Sequence, residues 1–71
     1  MLDFRIHTFL CVCRHMNYTK AAAELHITQP AVSQHIRYLE NEYHAKLFDY
    51  TGKHLILTQA GHILLDAAAT I

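Results

Sequence analysis

The stretch from Tyr18 to Arg37 constrains the fold more than any other. It holds two helix-forming segments with only His26, Ile27 and Thr28 between them. The first, about Tyr18 to Leu25, runs through Lys-Ala-Ala-Ala-Glu-Leu, a sequence of high helix propensity, and Asn17 ahead of it offers an N-cap. Its small residues Ala21, Ala22 and Ala23 let a second helix approach closely. Thr28 is placed to cap the following helix, with Gln29 and Pro30 in the first turn, where a missing N–H costs nothing. Val32, Ile36, Leu39 and Tyr43 then recur at i, i+4, i+7 and i+11, which predicts a buried stripe. The opposite arc carries Pro30, Gln34, Arg37 and Asn41, with Gln29 and Ser33 beside it. Two short helices on a three-residue turn, the second with a wet polar arc, make a helix-turn-helix over 18–37.

The flanks complete a small domain. Asp3 can cap a first helix whose apolar residues are Ile6, Phe9, Leu10, Cys13 and Met16. From 47 to 57 the period changes. Two β-prone runs, Leu47-Phe48-Asp49-Tyr50 and His54-Leu55-Ile56-Leu57, flank Thr51-Gly52-Lys53, which predicts a hairpin with a three-residue loop. Thr58 caps a fourth helix with Ala60, Ile63, Leu64, Ala67, Ala68 and Ile71 at helical spacing. Two glycines and one proline in 71 residues leave little room for the turns of an all-β fold. The expected architecture is mostly α with a small β-hairpin wing: a three-helix winged helix-turn-helix, then the start of a longer helix. A chain of this size has little left to cover Ile63, Leu64, Ala67 and Ile71, so that stripe is expected to meet a second copy. The helical pattern is still running at Ile71, so the chain reads as part of a longer protein.

Charge localises the functional face. Formal net charge is zero, which argues against a polyanion binder held by bulk charge. Up to Tyr38, however, four Lys and Arg stand against two acids, and from Leu39 onward two stand against four. No carboxylate occurs between Leu25 and Leu39. A B-DNA major groove admits one α-helix, whose N-terminus turns backbone N–H groups and a positive dipole end toward phosphates. On such a helix Gln29 can pair with adenine, Ser33 can donate or accept, Pro30 can meet a thymine methyl, Gln34 extends the readable edge, and Arg37 reaches guanine or backbone. Lys53 at the hairpin tip, with Thr51 and His54, could clamp an adjacent phosphate or minor groove. His26, His35 and His54 are expected near this face, so their protonation would strengthen DNA binding at pH 6 relative to pH 8.

Other chemistries find little support. Cys11 and Cys13 point about 200° apart on a helix and cannot pair, which fits a reducing cytoplasm. His7, Cys11 and His15 share one helix face, but three groups spread over two turns do not readily converge on one ion, so no metal or cofactor is expected. No nucleophile–base–acid arrangement or HExxH pattern is present, and Gly52-Lys53 lacks the glycine spacing of a phosphate loop, so an enzyme is not expected. The first thirteen residues are apolar but carry Asp3, Arg5 and His7 and no small-residue cleavage site, unlike a secretory leader. Residues 55–71 are too short and too polar to span a bilayer.

The run from Asn17 to Ile36, with Thr28-Gln29-Pro30-Ala31-Val32-Ser33 at its centre, resembles the signature of LysR-type transcriptional regulators. So do Leu39-Glu40, Leu47-Phe48, Thr51-Gly52-Lys53 and Leu57-Thr58-Gln59-Ala60-Gly61, in register along essentially the whole chain. The resemblance implies a bacterial winged helix-turn-helix that reads double-stranded DNA at an interrupted palindrome as a homodimer. It implies a DNA-binding domain over 1–58 and the start of a linker and dimerisation helix over 59–71. It puts Gln29, Pro30, Ser33 and Gln34 on base-reading positions and Thr19, Thr28 and Lys53 on backbone-contacting ones. A small-molecule effector would act only through a C-terminal domain that these residues do not include. Three positions depart from the pattern. His44 stands where glycine is usual, and Tyr50 and Gln34 stand where arginine is frequent. The competing readings are a winged-helix protein-interaction module and a metal- or redox-responsive regulator using Cys11 and His15.

Overall fold

The computed structural model describes residues 3–69. Helices α1 (Phe4–His15), α2 (Tyr18–Leu25) and α3 (Gln29–Tyr43) are followed by strands β1 (Phe48–Thr51) and β2 (His54–Leu57) and by helix α4 (Gln59–Ala69). Side-chain caps set the helix starts. The Asp3 carboxylate accepts from Arg5 N at 2.8 Å, Asn17 Oδ1 from Lys20 N at 2.9 Å, Thr28 Oγ1 from Ala31 N at 3.2 Å and Thr58 Oγ1 from Gly61 N at 3.0 Å. Left-handed residues end the first three helices: Met16 (φ 47°), His26 (φ 58°) and His44 (φ 53°). The winged helix-turn-helix expected from the sequence is the fold observed.

α1, α2 and α3 close around Phe9, Val12, Ala21, Val32, Ile36 and Leu39. Ala21 and Ala22 are buried at the α2 contacts, whereas Ala23 is exposed. The wing is locked to this core by Leu47 and Phe48. The Phe48 ring lies 5.5 Å from Phe9 and 6.0 Å, edge-on, from Tyr18. The Glu40 carboxylate accepts from Leu47 N at 2.9 Å and fixes where the chain leaves α3 for the wing. α4 then crosses back over the base of the hairpin, with Thr58 N donating to Leu47 O at 3.0 Å.

Two expectations are corrected. Tyr43 is not core: it is 51% exposed, because the last turn of α3 runs past the packed region into the overhang beside α4. The wing turn has two residues, not three. Thr51 pairs with His54 in the ladder, leaving Gly52 and Lys53 as the loop. Gly52 has φ 63°, the positive value that the first central position of a II′ hairpin turn demands.

Candidate nucleic-acid interface

α3 presents its N-terminal half to solvent. Gln29, Pro30, Gln34 and Arg37 are exposed and Ser33 is half-buried. The arc is wet because the residues one step round the helix, Val32 and Ile36, are committed to the core. No carboxylate lies on α3 before Glu40, and that one is engaged with Leu47 N. The Thr28 hydroxyl is used as the α3 cap, accepting from Ala31 N, and the helix start carries the positive end of the α3 dipole.

Beside this helix lies a cleft of about 230 Å³ lined by Met16, Asn17, Tyr18, Thr19, Gln29, Tyr50, Lys53 and Leu55. It joins three elements. The start of α2 supplies Thr19, the start of α3 supplies Gln29, and the wing supplies Lys53. Three residues singled out in separate parts of the sequence therefore line one surface. His54 is exposed at the start of β2, opposite Thr51. Tyr50 and Tyr18 also line the cleft, and sequence reasoning did not select them for it. The β1–β2 register puts Tyr50 across from Leu55 on the face that includes Phe48, a placement with no local sequence signal. Burial, with the negative charges of Glu40 and Tyr50 adding to it, pushes the Tyr18 phenol up to about 12.

His35 departs from expectation. It faces α1, not the polar arc: its Nδ1 lies 2.9 Å from Thr8 Oγ1 and its ring meets Phe4 edge-on at 5.1 Å. Only His26 and His54 of the three histidines stay exposed on the outer surface.

On α4, Ile63 is 64% exposed and Ala67 is exposed, while Leu64 is half-buried against the chain's own core together with Ala60. Ile71 lies outside the described residues. Tyr43, Leu47, Ala60, Ile63, Leu64 and Ala67 line an apolar groove of about 290 Å³. Among the described residues no helix is long and apolar enough to cross a membrane.

Cys11 is buried and Cys13 half-buried, and both are free thiols. Burial pushes the Cys13 thiol up to about 11. Cys11 is raised as well, by burial first and then by a hydrogen bond and charge from Glu24, with Arg14 acting in the opposite sense. The Glu24 carboxyl is held below its ordinary range, chiefly by its hydrogen bond with His15.

An exposed polar helix, a preceding short helix and a β-hairpin converging on one cleft define a winged helix-turn-helix domain. A family model described as bacterial regulatory helix-turn-helix protein, lysR family, matches residues 5–62. The RuBisCO operon transcriptional regulator of Allochromatium vinosum is 49% identical over 57 residues, covering 80% of this chain and 19% of that protein. A crystal structure of a LysR-family transcriptional regulator from Eggerthella lenta superposes with a TM-score of 0.93 at 64% identity, covering 97% of this chain and 99% of that one. DarR of Vibrio fischeri, solved in complex with DNA, superposes with a TM-score of 0.86 at 32% identity, covering 99% of this chain and 24% of that one. The chain belongs to the LysR family of bacterial regulatory helix-turn-helix proteins, a family of transcriptional regulators and not of enzymes. It spans about a fifth of the length of the A. vinosum regulator and of most of the other curated relatives it matches.

Proposed function

We propose that this chain is the DNA-binding unit of a cytoplasmic LysR-type transcriptional regulator that reads a bipartite operator as a homodimer. The observation that carries the reading is the exposed, carboxylate-free first half of α3 beside a cleft shared with Thr19 and Lys53. In this reading Gln29, Pro30, Ser33 and Gln34 meet base edges in the major groove. Thr19, Thr28, Arg37, Lys53 and His54 hold the sugar–phosphate backbone, which sets register without reading sequence. Residues 1–58 form the DNA-binding domain. Residues 59–71 begin the linker helix, whose Ile63, Leu64, Ala67 and Ile71 meet a second copy. DarR, similar in fold and solved on DNA, supports the same role here. A small-molecule effector would act through a further C-terminal domain of the whole protein.

Selection of bound duplexes from a random pool tests the reading. The expected product is an interrupted palindrome, and recovery of no enriched duplex would overturn it. Within the selected site, Gln29→Ala should lose about 1–3 kcal/mol of discrimination at one base position. Lys53→Ala should weaken all duplexes alike and lower the salt slope by about 0.9. A change of base preference in Lys53→Ala would remove it from the backbone role.

A further inference from the structure

Away from the DNA-facing cleft, α1 and α2 bring three unlike donors together. Cys11 and His15 are one turn apart on a single face of α1, the i, i+4 spacing that lets two side chains share a ligand. Glu24 comes from the last turn of α2, packed against that face. Cys11 Sγ, a His15 ring nitrogen and a Glu24 carboxylate oxygen all lie within 4.8 Å of one another. His7, the sequence-level companion of Cys11 and His15, is not part of this cluster. Glu24 takes its place because α2 folds back across α1.

We propose that Cys11, His15 and Glu24 form a binding site for a Zn²⁺-type divalent cation, with a fourth position left to water. Tetrahedral zinc with bonds of about 2.0–2.3 Å sets its donors roughly 3.3–3.6 Å apart. The widest pair here needs to close by about an ångström on that geometry. The His15 Nε2–Glu24 Oε1 pair, now hydrogen-bonded at 2.7 Å, needs to open by less. Both movements are within side-chain reach, since His15 and Glu24 retain exposed surface. One sulfur, one nitrogen and one oxygen suit a borderline cation and not the all-oxygen preference of Mg²⁺ or Ca²⁺. A thiolate and a carboxylate together balance a charge of two, so the loaded site is neutral; the thiol releases its proton to solvent on binding.

A cation already marks the position. Arg14 Nη2 donates to Glu24 Oε2 and lies 3.7 Å from Cys11 Sγ. The guanidinium therefore competes with the metal for the same two groups. Binding would replace it with a clamp between α1 and the end of α2. That end leads through His26 directly into α3, so the clamp would stiffen the junction ahead of the recognition helix. This site is independent of the DNA-binding reading, and its test uses no DNA.

The experiment takes the 71-residue chain, stripped of metal and kept reduced with a phosphine. Titration with Co²⁺ should saturate at one equivalent, with tetrahedral d–d absorption and a thiolate-to-cobalt charge-transfer band, and Zn²⁺ should displace it. In competition with a chromogenic chelator, His15→Ala and Glu24→Gln should each weaken Zn²⁺ binding at least tenfold. Both residues are partly exposed, so these variants keep the fold even where buried Cys11→Ser does not. Cys13→Ser and His7→Ala should bind as the parent chain does, and Arg14→Ala as tightly or more tightly. Zinc should raise the Tm of the parent but not of Glu24→Gln. A cobalt spectrum without the thiolate band, or equal zinc affinity in the parent, His15→Ala and Glu24→Gln, would show binding by scattered surface histidines and overturn the proposal.

Discussion

His44 ends α3 with φ 53°, a conformation in which a Cβ crowds the backbone and glycine is at ease. Its side chain is exposed. The strain is relieved by His44→Gly, while glycine's greater freedom in the unfolded chain offsets part of the gain. The expected net stabilisation is about 0.5–1 kcal/mol, read calorimetrically as a Tm higher by roughly 2–8 °C. An unchanged or lower Tm would mean that His44 makes a compensating contact. Tyr18 gives a pH signature. Its phenol is raised from 10.0 to about 12 in the folded chain, so folding favours the protonated form. The stabilisation is complete below pH 10 and is lost as pH rises from there through about 12, because the unfolded chain ionises first. The denaturation midpoint should therefore fall less steeply between about pH 10 and pH 12 in Tyr18→Phe than in the parent chain. Parallel decline in the two proteins would remove Tyr18 as the source.

At the scale of elements, local sequence carried the helix starts because a cap is a local event. Asp3, Asn17, Thr28 and Thr58 each satisfy an N–H two or three residues ahead. The core stripe of α3 was readable through Leu39 and failed at Tyr43, since periodicity reports a face but not where its covering partner stops. The wing was readable as a hairpin, but its loop length was not, because Thr51 joins the ladder through pairing with His54. The cleft was readable only in pieces. Thr19, Gln29 and Lys53 come from three elements, and Tyr50 reaches the same surface through strand register alone. Gly61 shows how a motif residue acquires a physical reason only in three dimensions. A Cβ at that position would lie 2.4 Å from Leu47 O and 2.4 Å from Leu57 Cδ1. One of these atoms is backbone, so α4 would have to lift off the hairpin. Gly61→Ala should cost about 1–3 kcal/mol, as overpacked cores do. A urea midpoint equal to the parent's would show that the α4 crossing is looser than this geometry.

The described residues span 30 × 25 × 20 Å, and one turn of B-DNA rises about 34 Å. Two copies side by side can thus occupy one face of a duplex in successive grooves, provided something holds them together. In the homodimer proposed above, the apolar groove between the end of α3 and α4 would supply the means. Ile63 at 64% exposed and Tyr43 at 51% are large apolar or aromatic surfaces that this chain's own core leaves uncovered. Both sit apart from the recognition arc, so the groove can be filled while α3 remains in contact with DNA. Ile63→Asp would put a charge into the proposed seam without disturbing the monomer, because the side chain it replaces is already in water. The variant should keep its circular dichroism spectrum and its affinity for a duplex carrying one half-site. On a duplex carrying both half-sites it should lose the cooperativity of the parent chain, with the two complexes forming independently in a mobility-shift titration. Retained cooperativity in Ile63→Asp would place the dimer contact elsewhere and leave the exposed edge of α4 without that role.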